Sequence, residues 1–468
     1  MSKLIEAIEK ETNKTITTNG AKAFKSTLSK TVDLFASIGA MRGKDILPSF
    51  ALAYSENKDV AVRTALWARD IRGGAGERKL YRDILQYLAK NDYQVAQQLL
   101  DKTVELGRWD DLLTLIGSPV HKEVISKIRV ALESGNALCA KWMPRKGETA
   151  AILRKELGYT PKFYRKRLVE LTNVVETAMC AKEWSSIDYS HVPSVASARY
   201  QKAFARNDNA RYAEFINKVN KGEVKMNAGA VYPYDVIRSL RSGVKDAANA
   251  QWKSLPDFIG NDESNFLCVV DVSGSMSCPA GGSGTVTCMD VAISLGLYCS
   301  ERSKGIFKDT FVTFSERPQL QQVSGTLEQR YNQMKRADWG MSTNLESVFD
   351  LVLTAAKKGK VPQEEMPSHL LIMSDMQFNC VRGGTDKTLF KAAKKAFKEA
   401  GYQLPKVVFW NINHYGNHPV KHDENNTALV SGFSPAIMQN LLSDTAVTPE
   451  DLMLETLMVE RYNWQKTA

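Results

Sequence analysis

The chain has 468 residues, 43% of them hydrophobic and 24% charged, with a formal net charge of +10. That length suits two or three globular, soluble domains rather than one. No apolar run approaches the ~20 residues needed to span a bilayer, and "MSKLIEAIEKETNK" lacks a secretory h-region, so a cytoplasmic protein without a membrane partner is expected.

The charge is uneven. Residues 1–250 hold 41 Lys+Arg against 28 Asp+Glu, and residues 251–468 hold 21 against 24. A basic half joined to a slightly acidic one suggests that the first half meets a polyanion; a solvated, Lys-rich helical surface is the plainer alternative. The seven Cys are odd in number and irregular in spacing, with no CxxC pair. Neither a disulfide framework nor a zinc ribbon is indicated.

In chain order, residues 1–250 read as helices. "NKDVAVRTALWARDI", "GERKLYRDILQYLAKN", "DYQVAQQLLDKTVELG" and "PKFYRKRLVELTNVVETAMCAK" carry apolar residues near i, i+3, i+4 and i+7. Thr160-Pro161 opens one helix as N-cap and N1, while Gly73 and Gly107 close others. Trp67, Trp109, Trp142 and Trp184 recur at spacings compatible with stacked helical pairs of the HEAT type; plain helix packing explains them equally well.

Two basic clusters lie in this half. Arg69, Arg72, Arg78 and Lys79 bracket the Gly73-Gly74 turn, where glycines permit close backbone approach and Arg forks match phosphate oxygens. The competing reading is a helix corner with Arg69–Asp70 and Glu77–Arg78 paired locally. The second cluster runs through Lys141, Arg145, Lys146, Arg154, Lys155, Lys162, Arg165, Lys166 and Arg167, interleaved with Trp142, Tyr159, Phe163 and Tyr164. Cations for phosphates and rings for base stacking are what single strands require. Helical spacing puts Lys162, Arg165 and Lys166 on one face, so some of the rings belong to the core.

After about residue 258 the grammar changes. "NFLCVVD", "DTFVTFS", "HLLIMSD", "KVVFWNI" and "TALVSG" read as short buried strands. They alternate with the helical runs "MDVAISLGLYCSERS", "NLESVFDLVLTAAKK" and "KTLFKAAKKAFKEAG". This alternation predicts a parallel sheet covered on both faces, with ligands beyond the carboxyl ends of its strands. "DVSGSM" (271–276) lies at such an end. Asp271, Ser273 and Ser275 point one way if the loop is extended. Thr343 enters a later helix, and Asp375 ends the strand "HLLIMSD". Oxygen donors without His or Cys suit Mg²⁺, with Mn²⁺ or Ca²⁺ as alternatives, and leave an open position for an outside acidic group. Singly, each residue has a simpler role: an Asx-turn at Asp271, a capping box from Thr343 to Glu346, a turn cap at Asp375. Together they make a strong signal.

On these residues, 265–440 resembles a von Willebrand factor A domain carrying a metal-ion-dependent adhesion site. Its D-x-S-x-S, Thr and Asp fall on Asp271, Ser273, Ser275, Thr343 and Asp375. One departure is Asp375-Met376 where many such domains have Asp-Gly. The Gly-rich "SCPAGGSGTVTC" (277–288) is expected to form a lip beside the metal, with Cys278 and Cys288 as free thiols. The helical half resembles the TROVE module of the Ro ribonucleoprotein family and its bacterial and viral relatives, through "LWARDIRGGAGERKLYRDIL", "GRWDDLLTL", "AKWMPRKG", "YTPKFYRKRLVEL" and "WSSIDYSHVPSVASARYQKAFARND".

The resemblance implies a multidomain chain: an all-α HEAT-like repeat module forming a ring, and an α/β Rossmann-like von Willebrand factor A domain that closes it. The expected boundaries are 1–257, 258–445 and a C-terminal helix at 446–468 packing back on the helical module. It implies binding of noncoding or misfolded single-stranded RNA, for which the two basic clusters offer Arg69, Arg72, Arg78, Lys79, Lys141, Arg145, Lys162, Arg165 and Lys166. An acidic protein ligand at the metal, without nucleic acid, is the alternative. No nucleophile–base order or nucleotide loop stands out, so a non-enzymatic protein is expected. His414, His418 and His422 are spaced for a metal on a helix, but Gly416 and Pro419 argue for a loop. His191 has no role legible from the sequence.

Overall fold

The computed structural model describes residues 3–172, 174–282, 286–314, 317–337, 343–380, 389–442 and 445–465. The chain forms two compact units. One comprises residues 1–64 and 232–458, the other 65–231 and 459–468.

The first unit holds eight strands among the described residues: β1 (Lys14–Ile16), β2 (Lys22–Phe24), β3 (Phe266–Val270), β4 (Thr310–Thr313), β5 (Leu320–Gln322), β6 (His369–Ser374), β7 (Lys406–Asn411) and β8 (Thr427–Ser431). Six make one sheet in the order β5-β4-β3-β6-β7-β8, parallel except for β5 at the edge. β3, β4, β6, β7 and β8 are buried along their whole length, as expected for apolar strands covered on both faces. On one face Leu267, Val269, Leu370, Ile372 and Phe409 share a core with Val348 and Phe349 of the helix Leu345–Gly359 and Phe397 of the helix Leu389–Glu399. On the other, Val270 meets the helix Cys288–Arg302, where a Cβ on Gly296 would stand 2.5 Å from a Val270 methyl. The strand order reverses between β3 and β6, which is where such sheets open a crevice.

Five strands lie where the apolar runs place them. Two features of this unit differ from expectation. The first 64 residues are not wholly helical: β1 and β2 pair as an antiparallel hairpin. They also belong with the sheet rather than with the helices that follow, as does the segment from 232 to 257. The helix Lys30–Ile38 packs on β8, and Gly39 at its C-terminus approaches β8 so closely that a Cβ would lie 2.2 Å from the Ser431 carbonyl oxygen. The C-terminal helix Pro449–Leu457 also packs on β8 and stays with this unit.

The second unit is helical. Its helices include Arg78–Asn91, His121–Glu133, Glu148–Leu157, Pro161–Leu171, Ser194–Asn207 and Asn209–Lys221. Thr160 caps the fourth of these through its hydroxyl (Phe163 N to Oγ1, 3.2 Å), with Pro161 at N1. Two long periodic runs break in the middle. "DYQVAQQLLDKTVELG" divides at Leu99, and the run from Pro161 stops at Leu171 and resumes as Val175–Ala181. The recurring Trp residues do not share an environment: Trp67 and Trp109 are buried, whereas Trp142 and Trp184 are partly exposed.

Candidate functional site

Asp271 follows β3, and its amide extends the β3–β6 ladder by donating to the Met373 carbonyl at 3.0 Å. Its side chain is fully buried. Oδ1 accepts from the Ser273 amide at 2.8 Å and Oδ2 from the Ser374 hydroxyl at 2.6 Å. Ser273 and Ser275 hydroxyls stand 3.0 Å apart. Asp375 follows β6 and is also fully buried. Oδ1 accepts from the Gln377 amide at 3.1 Å, while Oδ2 is buried without a hydrogen-bond partner.

An unpartnered buried carboxylate oxygen is costly unless something cationic or protic meets it. The neighbouring groups agree. Burial, and then the charge of Asp375, push the Asp271 carboxyl up to about 6. Burial likewise raises Asp375, against the opposing pull of the Ser275 hydroxyl and the Gln377 amide. Two like charges in one dry crevice are each held towards neutrality. A divalent cation would reverse that penalty.

Thr343 is 2% exposed. It does not cap the following helix: Asn344 does, accepting from the Ser347 amide at 3.0 Å. The expected Thr343–Glu346 capping box is therefore not formed, and the Thr343 hydroxyl is available for another role. The Thr343 carbonyl accepts from the Asn379 amide at 3.0 Å, which ties this loop to the one after Asp375.

The wall beside them comes from a segment that the sequence did not bring to notice. The turn between β1 and β2 reaches the loop after β6. Asn19 Nδ2 donates to the Gln377 carbonyl at 2.6 Å and approaches the Thr343 hydroxyl at 3.5 Å, and Thr17 Oγ1 donates to the Phe378 carbonyl at 2.7 Å. "TTNG" at 17–20 carries the Asn-Gly signature of a tight turn between alternating residues, and that signal could have located the hairpin. Ser374, one residue before Asp375, gave no signal of its own.

Met376 adopts φ +63°, a left-handed conformation that favours glycine. The departure noted in the sequence thus changes the residue while keeping a glycine-like backbone. The Met376 side chain, 2% exposed in the sheet core, holds the loop there.

Asp271 and Asp375 lie at the strand-order reversal, with Ser273 and Ser275 beside Asp271 and Thr343 tied to the loop after Asp375: two carboxylates and three hydroxyls with neither His nor Cys among them. Such a donor set fits a hard cation of the Mg²⁺ type. The described residues contain no cluster of three or more His, Cys, Asp or Glu side chains placed to hold a metal. Of the Gly-rich lip, residues 283–285 lie outside the described residues. Its ends pair, Ala280 N donating to the Val286 carbonyl at 2.8 Å.

The three spaced histidines do not converge on a metal. His422 Nδ1 meets Glu450 at 2.7 Å and His418 lies 3.5 Å from Asp33, while burial, then His418 and Lys44, push His414 down to about 3.

In the helical unit the first basic cluster divides. Arg69 is 3% exposed and binds Asp111 (Nε to Oδ2, 2.7 Å), which also takes Arg82 Nε at 2.6 Å. Arg69 is thus an internal ion-pair member, not a surface contact for phosphate. The local pair Arg69–Asp70 is not formed. Asp70 binds Arg461 and Tyr462 instead. Gly74 is where close approach is needed, since a Cβ there would lie 1.9 Å from the Trp67 carbonyl oxygen. Arg72, Arg78 and Lys79 are exposed, and Lys79 pairs with Asp83 at 2.6 Å. Arg78 makes no ion pair among the described residues. Partial burial, then Arg108 and Arg69, hold its guanidinium below the usual range. Arg108 stacks on Trp142 with 3.7 Å to the ring centroid, and Lys141 lies 5.6 Å from the same ring.

In the second cluster Lys162, Phe163, Arg165 and Lys166 are exposed, while Tyr164 is buried with its hydroxyl on the Pro144 carbonyl. Arg145 is exposed and reaches Thr172 at 3.4 Å. Arg167 is structural, donating to the Leu132 carbonyl at 2.8 Å. His191 shares a local turn with Asp188 and Ser190. Both contact its Nδ1, at 2.7 and 3.1 Å, so the three make no proton relay. With Lys141 and Glu176, Asp188 and His191 border a cleft of about 360 Å³.

Comparison with known proteins divides the chain at other boundaries. Residues 265–467 match a family described as a domain of unknown function, DUF7788, and residues 143–262 match another, DUF2828. The chain is similar to the uncharacterized protein L728 of Acanthamoeba polyphaga mimivirus, 29% identical over 508 residues, covering 95% of this chain and 87% of that protein. Among solved structures it is similar to the Ro (RSR) protein of Deinococcus radiodurans at 13% identity, covering 92% of this chain and 93% of that one, with a TM-score of 0.34. A superposition of that quality carries no weight beyond itself.

Proposed function

We propose that this is a non-enzymatic RNA-binding protein of the Ro type. Its helical unit grips single-stranded or misfolded noncoding RNA, and its α/β unit is a von Willebrand factor A domain with a divalent-cation site. The observation that carries the RNA reading is the patch around Arg78. This guanidinium makes no ion pair among the described residues, stands near Arg108, Arg69 and Arg82 with Asp110 as the opposing charge, and lies in a unit whose Arg108 already stacks on Trp142. A polyanion supplies the charge the patch lacks, and an aromatic face beside a cation suits a base. Lys162, Arg165 and Lys166, with exposed Phe163, repeat that chemistry along one helix. HEAT-like repeats, ring closure and a cytoplasmic setting belong to the same proposal. No helix of the described residues is long and apolar enough to cross a membrane.

The cation at Asp271, Ser273, Ser275, Thr343 and Asp375, Mg²⁺ foremost, supplies a positive centre to which an outside carboxylate could bind. The partnerless Asp375 oxygen favours that role, and with it the second reading: an adaptor that binds an acidic protein group and no nucleic acid.

The deciding experiment measures binding of a labelled single-stranded RNA by fluorescence anisotropy across a salt series, with and without EDTA. RNA binding that falls steeply with salt and survives EDTA supports the first reading. No binding at low salt, together with Mg²⁺-dependent capture of an acidic peptide, replaces it with the second.

A further inference from the structure

We propose that Cys278 and Cys288 are a redox-active dithiol that closes to an intrachain disulfide. The two sulfurs stand 3.3 Å apart, and the backbones already pair: Cys288 N donates to the Cys278 carbonyl at 3.0 Å, and Pro279 bridges Thr287. Disulfide formation therefore needs side-chain rotation and a small closure, not a backbone rearrangement.

The surroundings assign different tasks to the two sulfurs. Cys278 is partly exposed and accepts a hydrogen bond from Asn413 Nδ2 at 3.4 Å. Cys288 is buried, and burial with the neighbouring Cys278 holds its thiol high. Cys278 is thus the sulfur that meets the oxidant and Cys288 the one that resolves. With hydrogen peroxide as oxidant, the Cys278 thiolate attacks one oxygen and breaks the O–O bond, giving a sulfenic acid and hydroxide. Cys288 sulfur then attacks the sulfenic sulfur and expels its hydroxyl as hydroxide. The two thiol protons convert both hydroxides to water. The dithiol loses two electrons and the peroxide gains them.

The chain contains its own control. Cys268 and Cys299 also touch, one on β3 and the other on the helix behind it, but both are sealed in the core. Proximity alone would oxidise both pairs; proximity with access selects Cys278–Cys288. The link would fasten the backbone three residues beyond Ser275 to the first turn of the helix Cys288–Arg302. The proposal holds whether or not a cation is bound.

The test uses the reduced full-length protein, treated with a few equivalents of hydrogen peroxide, blocked with N-ethylmaleimide and digested for mass spectrometry. The expected result is one cross-linked species joining the Cys278 and Cys288 peptides, two hydrogens lighter and reversed by dithiothreitol. It should form at least about tenfold faster than any Cys268–Cys299 link. In Cys288→Ser, dimedone should trap Cys278 as the sulfenic acid. Full alkylation of Cys278 and Cys288 after oxidation, or equal rates for the two pairs, would overturn the proposal.

Discussion

Asp271 and Asp375 end adjacent parallel strands and are both buried, and the charge of Asp375 is one of the two causes that raise the Asp271 carboxyl to about 6. The pair is a standing repulsion built into the crevice where the strand order reverses.

Relieving the repulsion should stabilise the metal-free protein. In Asp375→Asn the amide removes one charge at nearly constant shape, so without metal the thermal midpoint should rise, by roughly 1 kcal/mol or more of stability. The same change removes one of the proposed ligands, so Mg²⁺ should no longer shift the midpoint. Calorimetry of wild type and variant, each in EDTA and in excess Mg²⁺, checks both halves. A fall in the EDTA midpoint would show that Asp375 has a structural role rather than one awaiting a cation.

Met376 sets a different balance. Glycine at this left-handed position removes backbone strain of about 1–2 kcal/mol, but Met376→Gly also deletes a side chain that is 2% exposed. Loss of a buried Met side chain costs about 2–5 kcal/mol. The net outcome is a less stable protein, measured by urea denaturation, with the cation affinity lowered as the Asp375 loop loosens.

The strands were legible because parallel sheets demand continuous apolar runs, and all five such runs became strands. β5 was not: Leu320–Gln322 is a short edge strand whose three residues are mostly solvated, so no core pattern marks it. β1 and β2 are three residues each, too short for a period to show, though Asn19-Gly20 announced their turn. Asp271 and Asp375 were legible as neighbours because each follows a strand whose position the apolar pattern fixes. Asn19 and Ser374 were not, since hydrogen-bond partners distant in sequence leave no local mark. For the same reason Arg69 looked like a surface cation. Its carboxylate, Asp111, lies 42 residues further on.

That distinction between arginines gives a paired prediction. Arg69→Ala leaves Asp111, fully buried, short of one of its two guanidinium partners, and should cost about 3–5 kcal/mol of stability. Arg78→Ala breaks no ion pair and should leave the melting curve nearly unchanged. It should weaken single-stranded RNA binding several-fold and lower the salt slope by about one charge. Anisotropy titrations at several salt concentrations, beside thermal melts, separate the two. An Arg78 variant that binds RNA as tightly as wild type would move the grip to Lys162, Arg165 and Lys166.

His414 predicts a pH dependence. Its folded-state value, about 3, lies below the unfolded 6.5, through burial first and then His418 and Lys44. The unfolded chain therefore takes up a proton that the folded chain refuses. This contribution to stability is complete above pH 6.5 and is lost as the pH falls towards 3. His418, facing Asp33 and Lys30, is lowered too and acts in the same sense. The raised Asp271 and Asp375 act oppositely, since the folded chain binds their protons first. The difference between wild type and His414→Gln isolates the histidine. Between about pH 7.5 and 5 wild type should lose roughly 1–2 kcal/mol more than the variant. Parallel pH curves in urea denaturation would exclude His414 as a contributor.

The C-terminal segment supplies the last prediction. Asp70 is 1% exposed and accepts from Arg461 Nε at 2.5 Å and Nη2 at 2.8 Å and from the Tyr462 hydroxyl at 3.1 Å. These bonds fasten residues 459–465 to the corner after the helix Lys58–Arg69, where Gly73 leaves room for both side chains. Arg461 is itself 40% exposed, so water takes up part of its loss. Arg461→Ala should therefore cost about 1–3 kcal/mol, below the range for a fully buried pair. Ending the chain at Met458 should cost more, because Asp70 then keeps only backbone donors in a buried site. Asp70 is held below its usual range chiefly by Arg461, opposing burial. The stability it adds is therefore present above its unfolded value near 4 and is lost on acidification below it. Hydrogen exchange at the 66–80 corner, compared between full-length and shortened chains, reads the effect where it arises. Unchanged protection there would mean that the tail merely rests on the corner without holding it.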